Sequence, residues 1–580
     1  MRRHRLPVAH FDALAAGLGG PATIRLLRGA ELSKLLLRLR ALLDVTGPPR
    51  PDGIELLAEA QRRAPQTVAD LLLYPHVAAW VSACLRRLHA TEGATGGDDL
   101  AHLGAVAAAA AIRAGMSLDV AVRVRGGTVV LPTLGCAEVG PPGFDGVAAV
   151  RSTARGVEVA SDHRTVVLPA DPHADGPGWW GLRRLDAIAG GRALGVYLDD
   201  IDPFRDNHGL GPAPRLAEES LRDWRRTTDA AWDILADHHP HRAEAIAVGL
   251  TALVPLAAHR GRRELSATSA DAPGAVAITP PGDPLLLAES LVHEFQHVKL
   301  CALLDLLPLH APDDGERFYA PWRDDPRPLG GLLHGAYAYL GVTDFWGRQQ
   351  RVMTGDDRTF AQYAFVLWRD QTRHAIGRIE GSGRLTANGE RFVAGMRASL
   401  EAWTDTTVAA EAGAHAEDTA ADHALTWRVR HLRPDPADVD QIALAWPGGT
   451  PAPPLRRPEL TASDREPGTR NTRTGLRHLR LRHPDEFARV RATRGDADVA
   501  LVAGHGAEAA DRYRARLADD PGSAEDWAGL AIAARRGGAA IPALTAFPEV
   551  VAAVHHRIGE LRGSRPDPLD LARWLTPAVR

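Results

Sequence analysis

Cysteine is nearly absent from the 580-residue chain, which has only Cys84, Cys136 and Cys301. Three scattered thiols cannot build a disulfide framework, which points to a reducing compartment. They also cannot form the three-cysteine cluster of a radical-type iron–sulfur centre. An excess of one charge is missing too. The 68 Lys and Arg stand against 72 Asp and Glu, a formal net charge of −4, so the strongly basic face of a general nucleic-acid binder is not expected. Lysine is scarce, and arginine carries almost all the positive charge. Long apolar runs are lacking: "LGAVAAAAAIRAGM" is short, alanine-rich and broken by Arg113, too little to span a bilayer. In "MRRHRLPVAHFDALAAGLGG", His10 and Asp12 interrupt any signal-peptide core. The expectation is a cytoplasmic protein with neither a nucleic-acid nor a membrane partner.

With 45% hydrophobic residues, the chain can bury a sizeable core, and its length suggests about two to four folding units. Residues 1–118 read as a helical region, with Leu, Val and Ala at three- and four-residue spacings in "ELSKLLLRLRALLD" and "TVADLLLYPHVAAWVSACLRRLHA". Residues 119–260 begin with short β-branched runs between Gly and Pro, such as "DVAVRVRGGTVVLPTLG", and return to helix. Residues 261–431 place one strand, "AVAIT", before a mostly helical stretch. Residues 432–475 read as a Pro/Gly-rich connection. Residues 476–580 are helical, and "AADRYRARLADDPGSAEDWAGLAIAARR" resembles one tetratricopeptide-like helical pair, too little for an array. The expected fold class is α+β and mostly helical, with a small β-sheet and a C-terminal helical pair.

Chemistry concentrates in "SLVHEFQHVKLCALLDLL", residues 290–307. Asp283 followed by Pro284 is a helix start, an N-cap acceptor and then a proline at the first helical position. His293 and His297 are then one turn apart on one face and can reach a single divalent ion. Leu291, Phe295, Val298 and Ala302 supply an apolar stripe for the core. The composition gives roughly 0.05 chance occurrences of such a pentad, so its helical context carries the assignment. A third ligand from Glu289, on the same helix, would strain the coordination angles. His334, on the apolar helix "GGLLHGAYAYLGVTDFWGRQQ", is the expected third ligand, set against a plain core histidine. Asp344 is the carboxylate alternative. The loop "ERFYAPWRDDPRPLGG" offers Arg323 and Arg327, either to pair with Asp324 and Asp325 or to hold a carboxylate by a bidentate fork. "YLDDIDPFRDNHG", with Asp199, Asp200, Asp202, Arg205 and His208, reads first as a turn of self-paired charges.

Two chemistries fit this helix. In a zinc peptidase the metal activates water, Glu294 takes its proton, and the substrate lies along a β-edge. In an iron(II) oxygenase three side chains leave positions for a 2-oxo acid and dioxygen, Glu294 orients ligands or substrate, and an arginine anchors the far carboxylate. Spacing does not decide between them. The series "TSADAPGAVAITPPGDPLLLAESLVHEFQHVKLCALLDLLPL", "YAPWRDDPRPLGGLLHGAYAYLGVTDFW" and "TWRVRHL" resembles the HExxH-motif peptide-modification family of natural-product clusters. "LRGAELSKLLLRLRALLD", "LDDIDPFRD" and "DDPGSAEDWAGLAIA" extend the likeness over most of the chain. The resemblance implies iron(II)- and 2-oxoglutarate-dependent β-hydroxylation of side chains in a ribosomally made precursor peptide. His293 and His297 match the metal motif of a zincin-like helix, and His334 falls in the family's "LHG" helix. Assigning 2-oxoglutarate to Arg327 or Arg323 rests on chemistry alone. The rival expectations are a zinc peptidase with Glu294 as base and a non-catalytic peptide-binding scaffold with a structural metal.

Overall fold

The structure, a computed structural model, describes residues 4–46, 51–90, 100–206, 209–257, 265–280, 282–446, 451–453, 456, 458–461 and 472–579. About 59% of the chain is helical and small sheets make up the other regular structure, the α+β, mostly helical class expected. The chain forms two compact units, Met1–Pro308 and Leu309–Arg580. Their boundary falls inside the 261–431 segment, so the HEFQH helix and the His334 helix belong to different units.

The first unit opens with α1 (Val8–Ala15), α2 (Pro21–Thr46), α3 (Pro51–Arg63), α4 (Pro65–Leu72), α5 (Pro75–Ala90) and α6 (His102–Arg113). Several of these begin on proline, whose missing N–H is no loss in a first turn. The alanines of α6 are fully buried and let it lie close on the strands. At its start, a Cβ added to Gly104 would sit 2.5 Å from the Ala121 carbonyl oxygen. Then come β1 (Asp119–Val124), β2 (Thr128–Leu131), β3 (Gly135–Glu138), β4 (Gly146–Thr153), β5 (Gly156–Ala160), β6 (Thr165–Val167), β7 (Trp179–Gly181), β8 (Arg183–Ala189) and β9 (Arg192–Leu198). The first seven build antiparallel sheets ordered β1-β4-β5-β6 and β2-β3-β7. Val120, Val122 and Val124 alternate into a core shared with Leu71, Trp80 and the α6 alanines, as a half-buried strand requires. Among the described residues no single helix is long and apolar enough to cross a membrane. The bent pair α4–α5, which passes that test only jointly, buries Val77, Trp80 and Val81 in this core.

A third sheet positions the HEFQH helix. After β9 the chain runs through α7 (Glu218–His238), α8 (Pro240–Gly249), β10 (Ala252–Pro255), β11 (Ser266–Ala267), β12 (Ala275–Ile278) and α9 (Pro284–Leu304). The order is β11-β12-β10-β9-β8, with β9, β10 and β12 parallel and β8 and β11 antiparallel to their neighbours. Helices α7 and α8 form the crossover that parallel pairing of β9 and β10 demands. Every residue of β10 and β12 is buried, the pattern of interior parallel strands. The "AVAIT" strand is thus internal, and the two-residue β11 takes the edge beside it.

The second unit contains α10 (Leu329–Val352), α11 (Gly355–Glu380), α12 (Ala387–Glu401), α13 (Ala410–His431), α14 (Pro436–Ala445), α15 (Thr472–Arg482), α16 (Pro484–Thr493), α17 (Ala497–Val502), α18 (Gly506–Asp519), α19 (Ala524–Arg536), α20 (Pro542–Ala546), α21 (Pro548–Arg562) and α22 (Pro568–Leu575). The 432–475 segment, read from its prolines as a connection, holds a capped helix: the Asp435 side chain accepts from the Ala437 N–H to start α14. Helices α18 and α19 are the expected C-terminal pair. Gly529 permits their close approach, because a Cβ there would lie 2.4 Å from Cζ of Tyr513. Trp527 fixes the turn by donating Nε1–H to the Pro521 carbonyl at 2.9 Å.

Candidate metal-binding helix

Helix α9 starts as its sequence dictates, with the Asp283 carboxylate accepting from the Leu285 N–H at 2.8 Å and Pro284 in the first turn. Leu291, Phe295, Val298 and Ala302 are all buried. Phe295 occupies the space a side chain at Gly249 would need, 2.5 Å from a Cβ placed there. Lys299, only 3% exposed, donates from Nζ to the carbonyls of Gly17 and Leu18 at 3.1 and 2.8 Å. These carbonyls follow the end of α1, where a cation also meets the negative end of the helix dipole.

The imidazoles meet on another face. Nε2 of His293 and Nε2 of His297 are 3.2 Å apart, and their rings stand at 77°. Two nitrogens 3.2 Å apart, each about 2.1 Å from one ion, subtend roughly 100° at it. That lies between octahedral and tetrahedral angles, so the pair fits a shared metal. The same spacing also suits one N–H···N hydrogen bond. Burial holds the His293 pKa below its ordinary value, against a smaller opposite pull from Glu294. The ring is therefore neutral at pH 7, the form that ligates. Among the described residues no three His, Cys, Asp or Glu side chains gather into a set that could hold a metal.

Glu294 is turned about 100° from His293 around the helix and is 2% exposed. Ser266 Oγ donates to its Oε1 at 2.6 Å, and Thr268 Oγ1 donates to its Oε2 at 2.7 Å. Edge strand β11 and the residue after it thus hold both carboxylate oxygens. The sequence reading missed these two hydroxyls, whose only signal was the Ser/Thr-rich "LSATSA" that contains β11.

His334 lies on α10 of the second unit. Burial, followed by the charges of His310 and Arg327, pushes its pKa down to about 4. His310 donates Nδ1–H to the Ala311 carbonyl at 2.7 Å. Its Nε2 then lies against the start of α10, 2.9 Å from a Cβ placed at Gly330. In the preceding loop, Arg323 Nε and Arg327 Nη1 donate to the two oxygens of Asp325 at 2.8 and 3.0 Å. Burial opposes the Asp325 charge, but the two arginines outweigh it and leave the carboxyl below its usual range. The loop charges pair with each other, the simpler of the two expectations for this segment. Tyr319, from the same loop, hydrogen-bonds Nδ1 of His423 at 2.8 Å.

In "YLDDIDPFRDNHG", backbone N–H groups of the turn donate to Asp199 and Asp202, but Asp199 and Asp200 take their side-chain partners from outside it. Asp199 accepts from the Tyr74 hydroxyl and lies 3.1 Å from Nε2 of His76, both on or beside α5. Asp200 is bonded by Arg183 at 3.0 Å and Arg215 at 2.7 Å. Complete burial makes an unpaired carboxylate too costly, so the partners come from elsewhere in the first unit. Despite burial, His76 and Tyr74 hold the Asp199 pKa at about 2, whereas burial raises that of Asp202 to about 6. His208 lies outside the described residues. No protein-family model matches the chain, and no curated protein does either.

Proposed function

We propose that this chain is an iron(II)- and 2-oxoglutarate-dependent hydroxylase acting on side chains of a ribosomally made precursor peptide. His293 and His297 would hold the metal in a zincin-like helix, with His334 as the third ligand expected from the sequence. The observation that carries the reading is the division of labour on α9. The two imidazole nitrogens converge at 3.2 Å, while the neighbouring carboxylate is bound through both oxygens to Ser266 and Thr268. A general base has to present an oxygen to the metal's water. A carboxylate held by two hydroxyls instead suits a group that steadies the helix and its ligands.

When bound, iron(II) with 2-oxoglutarate and dioxygen supplies the oxidant that turns a C–H bond into C–OH, releasing succinate and carbon dioxide. The chain's own residues prepare the place. Burial keeps His293 neutral, Lys299 anchors α9 to the end of α1, and Asp283 fixes the first turn. Arg323 or Arg327 would meet the far carboxylate of 2-oxoglutarate by giving up Asp325.

One observation favours zinc peptidase chemistry as the second reading. Strand β11 is the sheet edge beside Glu294, and an exposed edge can accept an extended peptide. The test uses anaerobically purified full chain with iron(II), 2-oxoglutarate and the short peptide encoded beside it. A gain of one oxygen atom with equimolar succinate after oxygen is admitted supports hydroxylation. Hydrolysed peptide from zinc-loaded protein supports the second reading. Neither product, with metal retained, leaves a peptide-binding scaffold.

A further inference from the structure

In the second unit a half-open cleft of about 300 Å³ lies among α11, α13, α15 and α16, at the small end of ligand sites. Its floor is apolar, since Leu481 and Phe487 are buried. Helix α16 turns one face to it: Pro484, Phe487, Ala488 and Arg491 all line the cleft, at the three- and four-residue spacings that share a helix face.

Charge around this floor balances, with Asp356 and Glu411 set against Arg480 and Arg491. One of the two cations is already committed. Arg480 donates from Nε and Nη2 to Oε1 of Glu411 at 3.2 and 3.0 Å and from Nη1 to the Val502 carbonyl. Its guanidinium also lies over the Phe487 ring, 5.9 Å from the centroid, so it forms a fixed wall. Both of its bonds to Glu411 fall on Oε1, and Oε2 stays open to a further donor. Asp356, on the exposed first turn of α11, and Arg491, on the exposed last turn of α16, make no hydrogen bond or ion pair with the described residues.

The cleft therefore keeps acceptors and one cation in reserve. An anion alone would leave Asp356 unanswered, and a cation alone would leave Arg491 unanswered. The two needs are also separated in space. Arg480 holds Glu411 beside Phe487, and Arg491 follows Phe487 by one helical turn, about 6 Å of rise. An ammonium and a carboxylate on the same carbon atom are too close together to meet both ends.

We infer that this cleft binds a small zwitterion whose ammonium and carboxylate stand at opposite ends of a short apolar chain, as in an ω-amino acid. The ammonium meets Asp356 and Oε2 of Glu411, the carboxylate meets Arg491, and the chain lies on Leu481 and Phe487. The site is independent of the α9 histidines. It is tested by calorimetric titration of the full chain with ε-aminocaproate, and with caproate, hexylamine and glycine at matched ionic strength. These three controls remove the ammonium, the carboxylate and the spacing in turn. The ω-amino acid is expected to bind saturably and at least about tenfold more tightly than each control. D356N and R491Q change exposed side chains and should each weaken it at least about tenfold, with the melting temperature of the free chain unchanged. A488W, which fills the mouth from an exposed position, should abolish binding while the chain remains folded. The inference is overturned by no saturable binding of ε-aminocaproate, by a control that binds as tightly, or by an affinity that D356N and R491Q leave unchanged.

Discussion

Replacing Glu294 tests the division of labour on α9 directly, because Gln and Ala remove different things. Glu294→Gln keeps the shape: its carbonyl oxygen can accept from one hydroxyl, and its NH₂ can donate to the other. Two charge-assisted bonds become neutral ones, a loss of about 1–2 kcal/mol each, partly offset by no longer burying a charge. The expected net cost is about 1–2 kcal/mol. Glu294→Ala leaves the Ser266 and Thr268 hydroxyls without their acceptor, about 1–3 kcal/mol each, and loses about 1 kcal/mol of packing. The total of about 3–7 kcal/mol should lower the melting temperature of the first unit by roughly 6–14 °C, against a few degrees for Gln. Calorimetric melting gives the stabilities, and iron(II) titration of the folded variants gives metal affinity, which should be unchanged in E294Q. If E294A melts with the wild type, the two hydroxyls do not hold this carboxylate. If zinc-loaded wild type hydrolyses peptides and E294Q loses that by about 10²–10⁴-fold, Glu294 is a general base and the hydroxylation reading fails.

Further outcomes are specific. H293A and H297A should each weaken iron(II) binding by about 100-fold or more while leaving the fold intact. H334A should do likewise, and unchanged affinity by calorimetry would remove His334 from the ligand set. His102, wedged between Trp80 and Phe204 with ring centroids at 5.3 and 5.0 Å, has its pKa pushed to about 3 by burial and then by Arg125. The folded state resists its protonation, so this stability is present above about pH 6.5 and is lost as pH falls toward 3. The loss reaches about 3 kcal/mol at pH 4. H102Q should flatten that part of the stability–pH curve in urea unfolding, and an unaltered slope would refute the assignment. G529A, which drives a methyl into Tyr513, should cost about 2–3 kcal/mol in unfolding of the second unit. An unaffected midpoint would mean that α18 and α19 do not pack this closely.

What the sequence disclosed was local. Asp283–Pro284, the spacing of His293 and His297 and the buried stripe of α9 are set by one turn of helix, so pattern alone located them. Asp435–Pro436 carries the same start signal, yet the surrounding prolines made that segment look like a connection. The sheet edge beside "AVAIT" is β11, whose two residues are too few to show any periodicity. Asp199 paired with Tyr74 and His76, more than a hundred residues away, and no spacing rule reaches that far. Arg323 and Arg327 show the reverse case, since Asp325 stands between them in sequence and takes them both.

Lys299 gives the helix bearing the histidines a chemical reporter. The chain has only two lysines. Lys34 sits in a partly exposed pair with Asp305, its side chain 26% accessible. Lys299 is sealed against Gly17 and Leu18. An amine-acylating reagent should therefore mark Lys34 promptly and Lys299 only when α9 parts from the end of α1. The ratio of the two adducts, read by mass spectrometry, would time the opening of that helix without any engineered label.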